Sequence, residues 1–180
     1  MAIEIEIIPT KRRDLTLIEV IDGFNEINTK YLKSFFCDNY LDSAKENDKE
    51  LMLNQNLNSY SLSTEFFGQF SQNCILWKNT EPYDEFNTAE DLIVESAKFN
   101  RDDAKLFASR ASALNFTYKL TWLFSNNDRL FGFAFILCLC ELLEALVYNV
   151  YTDFNFIGCY TTDQWRAILI NELGNSVTNS

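Results

Sequence analysis

Apolar residues recur along most of this chain at intervals of three and four, the spacing that gathers them on one face of a helix. The opening differs. Ile3, Ile5 and Ile7 alternate with Glu4 and Glu6, a period of two that predicts a short strand ended by Pro9. A lone strand leaves its backbone unpaired. Residues 1–13 therefore read either as a strand, paired within the chain or with a partner, or as an extended arm.

Asp14 caps a helix that runs from Leu15, with Leu17, Val20, Ile21, Phe24, Ile27, Tyr31, Leu32 and Phe35 at helical spacing. Gly23 sits inside this stretch and costs about 1 kcal/mol against Ala, so it marks a kink or a break. The polar segment 42–58 reads as a loop, or as a short helix anchored by Leu51, Met52 and Leu53. Ser63 or Thr64 then caps a helix with Phe66, Phe67, Phe70, Cys74 and Trp77 on one face. Residues 78–87, with Pro82, read as a loop. Thr88 and Asp91 form a capping-box pattern ahead of Leu92, Ile93 and Ala97. Asp102 opens a helix through Leu106, Phe107, Ala111, Leu114, Tyr118 and Trp122, broken at Asn126 and Asn127.

The strongest helical signal is 128–151, apolar without interruption from Leu130 to Cys140. Those eleven residues fall short of the ~20 a bilayer requires, so the segment reads as a central core helix. Thr162 or Asp163 opens a last helix with Trp165, Ile168, Leu169 and Leu173, stopped at Gly174, with 175–180 a frayed tail. There is no repeat, Gly-rich loop or linker, and two Pro and five Gly are few for a turn-rich sheet protein. The expected fold is mainly α: a single compact helical domain over 1–180, of about six to eight helices, with a short N-terminal strand or arm.

Composition adds a sign to this body. Twenty-six Asp and Glu against fifteen Lys and Arg give −11, a field that repels nucleic acid and anionic membranes and attracts basic partners. The chain starts with acids where a secretory signal carries bases. Its five cysteines, Cys37, Cys74, Cys138, Cys140 and Cys159, are an odd number and lie largely in apolar runs. They read as reduced core residues of a cytoplasmic protein.

The absence of His removes the usual Ser-His-Asp and Cys-His constellations and the His-containing metal sites. Cys138 and Cys140 could suggest a metal pair, yet they lie two apart in a helical run and point to different faces, so core packing is the simpler account. Glu141 and Glu144 stand one turn apart, but helical carboxylate sites complete this spacing with His. They read as a solvent- or interface-facing edge. No catalytic residue, metal or cofactor is assigned; Lys- or carboxylate-based catalysis stays open but unsupported.

Charge is unevenly spread. Residues 81–103 hold Glu81, Asp84, Glu85, Glu90, Asp91, Glu95, Asp102 and Asp103 against Lys98 and Arg101, a net −6 and over half of the total. Tyr83 and Phe86 lie among them, with Trp77 just before. Acids beside aromatics engage Lys and Arg by ion pairing and cation–π contact. A solvated face is the plainer account of any one carboxylate. As a cluster, Glu81, Tyr83, Asp84, Glu85, Glu90, Asp91, Glu95, Asp102 and Asp103 are the candidate partner-binding residues. A weaker patch is Asp38, Asp42, Glu46, Asp48 and Glu50, offset by Lys45 and Lys49.

In small size, acidity, cytoplasmic character and lack of a catalytic motif, the chain resembles bacterial immunity proteins of polymorphic and contact-dependent growth-inhibition toxin systems. The resemblance spans the whole chain and is compositional. It implies tight one-to-one binding of a cognate toxin domain, an RNase or DNase, whose phosphate-binding surface is basic. Two other classes use similar materials: a phage-type nucleic-acid mimic that blocks a host defence enzyme, and a non-catalytic helical adaptor.

Overall fold

The computed structural model describes residues 2–32, 59–62, 74–79, 101–114, 116–123, 129–149 and 158–178. In chain order these form β1 (Ala2–Ile8), α1 (Leu17–Tyr31), β2 (Ser59–Leu62), β3 (Cys74–Asn79), α2 (Arg101–Leu114), β4 (Thr117–Leu123), α3 (Arg129–Leu143), β5 (Leu146–Asn149), β6 (Gly158–Thr161) and α4 (Thr162–Thr178). The strands make one six-stranded sheet in the order β2-β3-β4-β1-β5-β6, antiparallel at every pairing.

This overturns the mainly α expectation of six to eight helices. Among the described residues there are four helices and a sheet, a mixed α/β fold. The spacing of Tyr118 and Trp122, four apart, suits a helix. Four is also two periods of a strand, and Tyr118, Leu120 and Trp122 alternate with Thr117, Lys119 and Thr121. Cys74 and Trp77, expected on a helix face, lie instead in β3, whose start is the continuous apolar run Cys74-Ile75-Leu76-Trp77. Such a run suits an interior strand as well as a buried helix. Scarce Gly was a poor argument against a sheet, because other residues make the turns: Glu144 adopts φ 49° between α3 and β5.

The N-terminal strand forms, and it is interior. Ile5 pairs with Leu120 of β4 on one side and with Asn149 of β5 on the other, which excludes both the arm and an edge strand awaiting a partner. Its alternation sorts the two faces of the sheet. Ile5 and Ile7 join Tyr118, Leu120 and Val147 beneath α1, α3 and α4. Ile8 faces the other way, with Leu146, Tyr148 and Cys159, against Phe107 and Ala111 of α2.

α3 is apolar all round and buried all round: every residue from Phe131 to Cys140 is buried. α1 and α4 flank it. Phe24 of α1 meets Phe131 and Phe135, with ring centroids 5.0 and 6.0 Å apart. Trp165 of α4 packs on Phe133 at 5.4 Å and donates its indole N–H to the Phe133 carbonyl at 3.1 Å, so its polar atom is satisfied within the core. Gly23 neither kinks nor breaks α1. A Cβ there would stand 3.1 Å from Cys138 Sγ and 3.2 Å from a Leu142 methyl, so the missing side chain is what lets α1 lie close on α3.

Helix ends also shift. α1 starts at Leu17 rather than Leu15, because Thr16 and Glu19 form a reciprocal capping box. The 128–151 helix stops at Leu143, and Leu146–Asn149 turns into the sheet. α4 runs through Gly174 to Thr178, so Gly174 does not stop it. Among the described residues, no helix is long and apolar enough to cross a membrane.

Candidate functional site

Of the candidate partner-binding residues, Glu81, Tyr83, Asp84, Glu85, Glu90, Asp91 and Glu95 lie outside the described residues, as do the patch at 38–50 and the capping pattern at Thr88. Asp102 and Asp103 fall in the first turn of α2, where the positive end of the helix dipole favours acids. Asp102 is exposed there.

The described residues bring a different constellation together, at the sheet end where β1 finishes and β5 begins. It is built on the C-terminus of α3. A helix leaves its last carbonyls without intrahelical partners. Here three separate segments supply them. Glu144 in the left-handed conformation lets the Ala145 N–H reach the Cys140 carbonyl at 3.0 Å. Arg13 donates to the Leu142 carbonyl at 2.6 Å, and the Thr10 N–H to that of Leu143 at 3.4 Å. The Thr162 hydroxyl lies 3.3 Å from the Cys140 carbonyl and 3.2 Å from that of Ala145, one proton shared between two acceptors.

The segment from Thr10 to Thr16 is pinned a second time. The Tyr118 hydroxyl accepts from the Leu15 N–H at 2.9 Å and donates to the Arg13 carbonyl at 3.1 Å. Burial pushes this phenol up to about 12. Arg13 also grips Glu19 at 2.5 Å. Glu19 in turn accepts the Thr16 N–H, and this bond does most to hold its carboxyl below the ordinary range.

An open cleft of about 580 Å³ lies over this junction. Its charged lining is Lys30, Arg110, Arg166, Glu141, Glu144 and Asp163. Arg166 binds Glu141 Oε1 through Nε at 3.1 Å and Nη2 at 2.8 Å, and its other amino group binds Asp163. Lys30 lies over the Tyr31 ring, 4.9 Å from its centre, and the hydroxyl of that ring raises the ammonium pKa. The first turn of α4 is closed by its own box: Thr161 Oγ1 accepts the Gln164 N–H at 3.3 Å, and Gln164 Oε1 accepts the Thr161 N–H at 2.8 Å. The cleft is thus formally neutral and partly self-paired.

Glu141 is exposed, as expected, but its partner is Arg166. Glu144 is not one turn along the same helix; it lies just past its end. Nothing in the sequence points to Arg166, Lys30 or Arg110, which stand far apart in the chain and belong to no run of like charge. The Thr161-x-x-Gln164 spacing was the one local signal for this corner, and it marks a helix start rather than a site.

Among the described residues, Cys138 and Cys140 offer no thiolate nucleophile. Cys138, Cys140 and Cys159 are buried, and none forms a disulfide. Cys138 donates to the Val20 carbonyl at 3.5 Å, and burial drives the pKa of Cys138 and Cys140 far above the ordinary thiol value, so both stay protonated. Among the described residues, no group of three or more Cys, Asp or Glu is placed to hold a metal ion. No family model, curated protein or solved structure matches the chain.

Proposed function

We propose that this protein is an acidic immunity protein, an inhibitor that acts in the cytoplasm and neutralises a basic toxin nuclease domain by covering its substrate-binding surface. The observation that carries this reading is the charge: −11 overall, with a net −6 gathered in residues 81–103. A nuclease must present a basic surface to phosphates. A carboxylate-rich face engages the same Lys and Arg, speeds encounter and excludes substrate. The partner-binding residues in this reading are Glu81, Tyr83, Asp84, Glu85, Glu90, Asp91, Glu95, Asp102 and Asp103.

The test is co-expression with the toxic C-terminal domain of a secreted protein encoded beside this gene. Growth should recover, and the two chains should purify as a one-to-one complex. Arrest of growth with both chains present at full length overturns the reading.

A further inference from the structure

We draw no further inference here: the strongest candidate, the open cleft at the sheet end between the C-terminus of α3 and the first turn of α4, is lined by three bases and three acids of which Arg166, Glu141 and Asp163 already bind one another, so nothing in the structure selects an anion, a cation or any other ligand for it.

Discussion

Glu144 is the one non-glycine residue at positive φ among those described. The left-handed conformation costs an L-residue with a Cβ roughly 1–2 kcal/mol. It is held there because Ala145 must turn back to cap α3. Replacing Glu144→Gly should therefore raise stability by about 1 kcal/mol in urea denaturation, with an unchanged slope. A loss would mean that the Glu144 side chain contributes more than its backbone strain costs. Tyr118 is the converse case. Tyr118→Phe keeps the ring and leaves the Leu15 N–H without its partner, at a cost of about 1–3 kcal/mol in the same assay. The hydroxyl also sets an alkaline limit. Its folded pKa is about 12 against an ordinary 10.0. The folded state thus holds this proton more tightly, and the contribution is full below pH 10 and falls away as pH rises toward 12. The Phe variant should lack that part of the alkaline decline, as seen by comparing unfolding midpoints across this range.

At the scale of elements, the legible parts were those with one consistent period or none to confuse. β1 showed its alternation, α3 its unbroken apolar run, and α4 its start near Thr162 or Asp163. β4 was hidden because its apolar positions satisfy both helix and strand spacing, and because it follows α2 closely in the chain. β5 was absorbed into α3 for the same reason. What separates them is tertiary: these segments are strands because β1 offers a ladder on each side, information that no local window carries. The cleft was illegible for a related reason, since Lys30, Arg110 and Arg166 come from three helices far apart in sequence. Gly23 is where a local rule misled most plainly. Its helix penalty suggested a break, while its lack of a side chain serves the contact of α1 with α3. Gly23→Leu should cost roughly 1–3 kcal/mol by forcing the two helices apart. Thermal melting checks this, and a neutral result would show that Cys138 and Leu142 can move aside.

For the molecule as a whole, the proposed function rests on its field. Reversing charge at Asp84, Glu85, Glu90 and Asp91 together should slow association with the toxin domain at low salt by ten-fold or more and flatten its dependence on ionic strength. Stopped-flow binding at two salt concentrations reads both. Unchanged rates would place the binding face elsewhere. The position of β1 has a bearing on synthesis. Ile5 pairs with Leu120 and Asn149, residues 115 and 144 places later in the chain. At translation rates of ~5–20 residues per second, this strand leaves the ribosome roughly 7–29 s before both of its neighbours exist. Until then its isoleucines and open backbone are exposed to other nascent chains. The glutamates interleaved with them then serve a passing purpose, keeping a waiting strand in solution until the sheet can close around it.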